Sequence, residues 1–235
     1  MSSRRRSLLT AVPALMATVS VPAALLAACS ADPPVAELKR MAVAPEAVKA
    51  RAERRASIDE RLAPFNVRGL THGFTVISDS CSGPRPYTFE DGRDPWLLTC
   101  QMSGTSVYGV KGGRIVDVLR QIETAKIIDD KPAGSQANVA IDYYVKRGRT
   151  DESTLLPAPG LDDGRVVVGW DVTRPLISQV EALSATCPPS GVAFGQCSVD
   201  AGAGASVAEL RRRFGMVLRV RVVTGTSYYR LPRHR

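Results

Sequence analysis

Trp96-Leu97-Leu98-Thr99-Cys100-Gln101-Met102-Ser103-Gly104-Thr105-Ser106-Val107-Tyr108-Gly109-Val110 reads as one long strand. Gly112-Gly113 stops it. A helix then fits 114–126, with Ile115, Val118, Leu119 and Ile122 on one face. Upstream, Val67, Leu70, Phe74, Val76 and Ile77 predict a second strand over 67–78, broken at Gly69 or Gly73. The segment between the two strands, from Ser82-Gly83-Pro84-Arg85-Pro86 to Asp94-Pro95, is rich in turn formers.

Downstream, Val139 to Val145 reads as a strand carrying Tyr143 and Tyr144, and Arg147 to Gly164 as a loop. Val166-Val167-Val168-Gly169-Trp170 is a short apolar strand. A second helix begins near Pro175, buries Leu176, Ile177, Val180 and Leu183, and ends at Cys187-Pro188-Pro189. Residues 188–205 read as a glycine-rich loop. Ser206 and Glu209 form a capping box ahead of a third helix to Phe214, closed by Gly215. Met216 to Tyr229 is the last strand. Thr224-Gly225-Thr226-Ser227-Tyr228-Tyr229 echoes Ser103-Gly104-Thr105-Ser106-Val107-Tyr108 at what reads as the close of each long strand.

Strands come in pairs between helices, so the expected class is α+β: an antiparallel sheet with two or three helices on one face. The inner β-α-β-β-α-β order resembles a ferredoxin-like sandwich. The core begins near Phe65, and residues 65–235 are expected to form one domain. Ahead of it, residues 46–64 hold strong helix formers with a thin apolar stripe of Val48, Ala52 and Leu62, and Ile58 off to one side. That predicts a polar helix, solvated or loosely docked. Residues 29–45, with Pro33, Pro34 and Pro45, read as a tether.

The first 28 residues are set apart from the fold. Arg4, Arg5 and Arg6 precede an uncharged stretch from Ser7 to Cys29, interrupted by Pro13 and Pro22. A basic start, an apolar middle and a small-residue end make a secretory signal. Its last residues, Leu26-Ala27-Ala28-Cys29, resemble the lipobox of bacterial lipoproteins. The resemblance implies lipid on Cys29, cleavage before it, and a lipid-anchored chain on the extracytoplasmic face of a cell membrane. Arg5-Arg6-Ser7-Leu8-Leu9 resembles a twin-arginine motif, so either export route stays open. Asp94-Pro95-Trp96-Leu97-Leu98-Thr99-Cys100 and Val107-Tyr108-Gly109 resemble small uncharacterised envelope lipoproteins of high-GC Gram-positive bacteria. That likeness implies no activity.

Four cysteines remain beside Cys29, and an even number in an exported chain predicts two disulfides. Sequence neighbours pair best, Cys81 with Cys100 and Cys187 with Cys197, because each closes a short Pro/Gly-rich loop. The cysteines lack the close spacing and the histidine company of a metal site, so no metal or other cofactor is expected. The net charge of +8 falls to about +5 without the leader's three arginines. This mild balance fits an anionic cell wall or lipid surface. No arginine-rich helix with interleaved aromatics is present, so nucleic acid is not an expected partner.

Reactive residues are few. His72 lies near Ser78, Asp79 and Ser80, but neither serine sits in a G-x-S-x-G elbow. Asp129-Asp130, Asp151-Glu152 and Asp162-Asp163 are loop pairs of the kind that form turns. Gly202-Ala203-Gly204-Ala205 lacks the lysine of a phosphate loop. Among aromatics, Trp96, Tyr108, Tyr143 and Tyr228 are candidates for a contact patch. The expectation is therefore a non-enzymatic binding module for an envelope protein or a cell-wall component. The alternative is an envelope hydrolase using His72 or loop carboxylates.

Overall fold

Alternation along the long strand sets the architecture. In the computed structural model, the described residues are 32–85, 94–111, 113–128, 136–146, 160–171, 194–204, 206–223 and 225–233. Strand β1 (Leu70–Ser82) pairs antiparallel with β2 (Trp96–Lys111) along nearly its whole length. On β2, Leu98, Cys100, Met102, Gly104, Ser106, Tyr108 and Val110 are all buried on one face. From Val107 to Gly109 the opposite face is buried as well. This half of the strand therefore has cover on both sides.

The cover comes from helices. Helices α1 (Val35–Ala42) and α2 (Pro45–Leu62) precede the sheet, the second running into a 3₁₀ turn at Ala63–Phe65. After β2 come α3 (Ile115–Thr124) and α4 (Gln136–Val145). Strands β3 (Leu161–Asp162), β4 (Val166–Trp170) and β5 (Phe194–Ala201) follow. Helix α5 (Val207–Phe214) then leads into β6 (Gly215–Val222) and β7 (Tyr229–Pro232). The sheet order is β3-β4-β6-β2-β1-β5, antiparallel throughout, and β7 pairs with the first part of β2. The expected α+β class with an antiparallel sheet stands. The described residues form seven strands, with β2 flanked by β1 and β6, where a ferredoxin-like sandwich has four.

The main core packs Ile58 and Phe65 with Val118, Leu119 and Ile122 of α3 against Tyr108, Val110, Leu218 and Val220. A smaller cluster joins Leu38 and Ala42 of α1 to Cys81, Leu98 and Cys100. A third, on the opposite face, joins Val207 and Leu210 of α5 to Phe74, Val107 and Val217. Helices α1 to α4 thus share one face, and short α5 covers part of the other.

Several local readings hold. Ser206 Oγ accepts the Glu209 N–H at 3.2 Å, and Gly215 closes α5 at φ +91°. The break in β1 is a bulge between His72 and Phe74. A Cβ on Gly73 would lie 2.2 Å from Leu210, so α5 sits directly on this bulge.

Other readings are corrected. Residues 136–145 form helix α4, not a strand. Ala137 and Ala140 lie one turn apart and are buried, while Asn138 and Val139 are exposed, a helical pattern. Residues 194–201, expected within a loop, form β5 on the free edge of β1. The single last strand is two, β6 and β7, paired with different parts of β2. The echoed segments consequently hold unlike positions, one inside β2 and the other, in its described residues Gly225 to Tyr229, running into the first residue of β7. Within the expected tether, α1 is helical and buries Leu38 and Ala42. Of the two readings of the polar helix the docked one holds, but through Ala47, Ile58 and Leu62, while Val48 and Ala52 of the expected stripe are exposed. Residues 1–31 and the expected second helix, from Pro175 to Cys187, lie outside the described residues.

Candidate functional site: a polar groove on the sheet

Helix α5 has eight residues, about 12 Å of length. It covers the sheet only around Phe74, Val107 and Val217. Beyond it, the alternation of the strands brings polar side chains to the same face. β1 contributes Ser78 and Ser80, β2 contributes Gln101, Ser103 and Thr105, and β6 contributes Arg219 and Arg221. The register places Ser78 opposite Ser103, Ser80 opposite Gln101, and Arg221 opposite Thr105. A shallow cavity of about 170 Å³ lies here, bounded by Ser78, Ser80, Gln101, Met102, Ser103, Arg221, Val222 and Val223.

This groove holds hydroxyls and an amide that both donate and accept hydrogen bonds, beside guanidinium donors. Arg219 is half-buried, and its Nε–H has no hydrogen-bond partner among the described residues. Burial, and then the neighbouring charge of Arg221, hold the Arg219 guanidinium below its ordinary pKa. The arrangement suits hydrogen-bonding and ion-pair recognition of a polar ligand.

His72 is placed elsewhere. Its Nε2 is hydrogen-bonded to Thr75 Oγ1 at 2.9 Å, and Thr75 to Ser106 Oγ at 2.7 Å. Its ring meets Tyr108 edge-on, with centroids 5.7 Å apart. Asp79 is engaged by Arg51 Nε and by the Tyr228 hydroxyl, which donates at 2.7 Å. Ser78 and Ser80 alternate with Asp79 along β1 and point to the other face. The serine–histidine–acid set of the hydrolase alternative is therefore not brought together.

The aromatic candidates do not form one patch. Tyr108 is buried in the core, and burial raises its pKa. Tyr143 lies on α4 and packs edge-to-face on Tyr144, with centroids 5.2 Å apart. Tyr228 is tied to Asp79. Trp96 is half-buried under the Arg230 guanidinium, 5.2 Å from its ring centroid. Of the loop carboxylates, Asp162 and Asp163 accept the backbone N–H groups of Gly164, Arg165 and Val166, as turn formers do. Asp129, Asp130, Asp151 and Glu152 lie outside the described residues. Gly202 and Ala203 donate to the Gly73 and His72 carbonyls, which extends the β5 pairing rather than forming an anion loop.

Cys81 and Cys100 are disulfide-bonded, with Cα atoms 4.0 Å apart. Cys197 is also disulfide-bonded. Cys29 and Cys187 lie outside the described residues. The described residues place no three His, Cys, Asp or Glu side chains to hold a metal ion, and none of their helices is long and apolar enough to cross a membrane.

Sequence reading missed two features. One is the Arg51–Asp79–Tyr228 network, whose signal is an aspartate in phase with inward-facing Ile77 and Cys81. The other is the groove, whose residues read singly as a solvated strand face. In comparisons with known proteins, no family model, no curated protein and no solved structure matches this chain.

Proposed function

We propose that this chain is an envelope lipoprotein, acylated on Cys29 and held at the extracytoplasmic face of a cell membrane, whose α+β domain is a non-enzymatic binding module. A basic leader ending in Leu26-Ala27-Ala28-Cys29 supports the address. The Cys81–Cys100 disulfide agrees with an oxidising compartment. The observation that carries the binding role is the groove of hydroxyl, amide and guanidinium groups on the sheet face that α5 covers only in part among the described residues. Its partner class is a cell-wall component or an envelope protein that presents polar groups.

Acylation is tested by labelling cells with radioactive palmitate. Wild-type protein takes up label and partitions into detergent, and Cys29→Ala does neither. Unlabelled wild-type protein in the medium overturns the address. The binding role is tested by co-sedimenting the protein with purified cell walls. Retention without release of soluble sugar or phosphate supports it. Released fragments would favour a hydrolase instead.

A further inference from the structure

Arg221 lines the groove, Arg219 lies two residues away along β6 on the same face, and neither is neutralised by a carboxylate among the described residues, which defines the ligand more closely. We propose that Arg219 and Arg221, with the hydroxyls of Ser78, Ser103 and Thr105, bind a phosphate group carried on a polyhydroxylated unit, a sugar or polyol phosphate. This deepens the binding-module reading and rests on it.

The two arginines are i and i+2 on β6. They therefore project from one face, about 7 Å apart along the strand. Like charges so placed repel, and the lowered pKa of Arg219 reports burial first and that repulsion second. Neither arginine forms a salt bridge among the described residues. Among the described residues, the nearby carboxylates Asp171 and Asp162 are otherwise engaged. Asp171 accepts from Arg211 at 2.6 and 2.8 Å and from the Val217 N–H at 3.1 Å. Asp162 lies two strands away from Arg221, across Val167, and accepts the Gly164 N–H. The Arg219 Nε–H is enclosed and has no hydrogen-bond partner among the described residues, a buried unpaired donor of the kind that calls for an explanation.

Guanidinium groups bind phosphate through paired N–H donors. Ser78 and Ser103 face each other beside Arg221, and Thr105 pairs with it directly. Such hydroxyls match sugar hydroxyls because both donate and accept. The cavity of about 170 Å³ is smaller than the ~300–1,000 Å³ of sites that enclose drug-sized ligands. It fits one unit, either of a longer wall polymer or of a lipid headgroup.

The test is calorimetric titration of the full chain in detergent with inositol 1-phosphate, inositol and inorganic phosphate. Inositol 1-phosphate is expected to bind at least tenfold tighter than either of the others. Arg221→Gln is expected to weaken it tenfold or more. Arg221→Lys, which keeps the charge but loses the fork, falls between. Arg221 is exposed, so its replacement does not endanger folding, and the half-buried Arg219→Gln serves as a second variant checked by its melting temperature. Arg120→Gln, on α3 of the opposite face, leaves affinity unchanged. Equal affinities in Arg221→Gln and wild type, or equal losses in Arg120→Gln, overturn the proposal. Competition by phosphatidylinositol vesicles or by a polyol-phosphate polymer names the source and supports it, while competition by neither overturns it. All of this is read in solution, so failure of palmitate labelling at Cys29 sinks the envelope reading separately. Release of inorganic phosphate from the titrant would sink the non-enzymatic reading instead.

Discussion

Asp79 is 5% exposed on the helix-covered face of the sheet. It is held by the Arg51 guanidinium from α2 and by the Tyr228 hydroxyl from the chain before β7. Arg51 also donates to the Ala42 carbonyl at 3.0 Å and lies over the Phe194 ring at 4.8 Å. One carboxylate thus joins β1, α2, the end of α1 and the approach to β7. A buried ion pair contributes little net stability against an apolar substitute, but removing one partner strands the other charge, at a cost of about 3–5 kcal/mol. Asp79→Ala is accordingly expected to lower the unfolding free energy in urea by about 3 kcal/mol, and a loss below ~1 kcal/mol would contradict the network. The tyrosines add a pH dependence. Burial first, then the hydrogen bond to Asp79 and its charge, push the Tyr228 hydroxyl above its ordinary pKa of 10.0. Burial likewise pushes Tyr144 up to about 12. A tyrosine whose pKa is raised by folding ionises first in the unfolded chain. Its contribution is intact below about pH 10 and is lost as the pH climbs above that value. The urea midpoint should fall between pH 9 and pH 11.5, and Tyr228→Phe should flatten the fall. An unchanged slope in that variant would remove Tyr228 as its source.

Helix α2 shows how docking follows from one residue on the sheet. A Cβ on Gly104 would lie 2.5 Å from Ile58 Cγ2 and 3.1 Å from Ile77 Cδ1. The missing side chain lets α2 approach β2 closely enough to bury Ile58 and Leu62. Gly104→Ala forces the helix outward, and such overpacking costs about 1–3 kcal/mol. A lowered melting temperature together with weaker amide protection along α2 is the expected outcome. An unshifted melting temperature would mean that the helix is not seated there. These cases also show what was readable beforehand. β2 and α3 were legible because each buries a face at its own period, and α5 because its cap and terminal glycine are local chemistry. α4 was misread because Tyr143, Tyr144 and Val145 favour strands, while the helical signal rests on two small alanines. β5 was missed because Phe194–Ala201 has scarcely any apolar alternation and owes its strand form to the open edge of β1. The groove is a property of register. Ser78 and Ser103 become neighbours only once two strands pair, and no single segment records that.

At the level of the whole domain, the Cys81–Cys100 disulfide fastens the end of the sheet where separate parts of the chain converge. The two cysteines are opposite each other in the β1–β2 register. They are buried with Leu38 and Ala42 of α1, and Tyr229 and Leu231 of β7 pack on the same cluster. The bond spans 19 positions, and a loop of that size restricts the unfolded chain by about 3 kcal/mol. Replacing both cysteines with Ala should therefore cost about 3 kcal/mol in urea denaturation, with some further loss from the reduced packing. The loss should also be uneven. β2 and β6 are braced by the main core, whereas α1 and β7 meet the sheet mainly through the cysteine cluster. Hydrogen exchange on the double variant is expected to show α1 and β7 losing protection while residues 104–110 and 216–222 keep theirs. Uniform loss would mean that the bond acts only on the unfolded chain. Full protection at α1 would mean that Arg51 and Asp79 alone suffice to seat it. The uneven outcome would identify the disulfide as what holds the N-terminal helices to the sheet, so that the domain completes its fold only after that bond has formed.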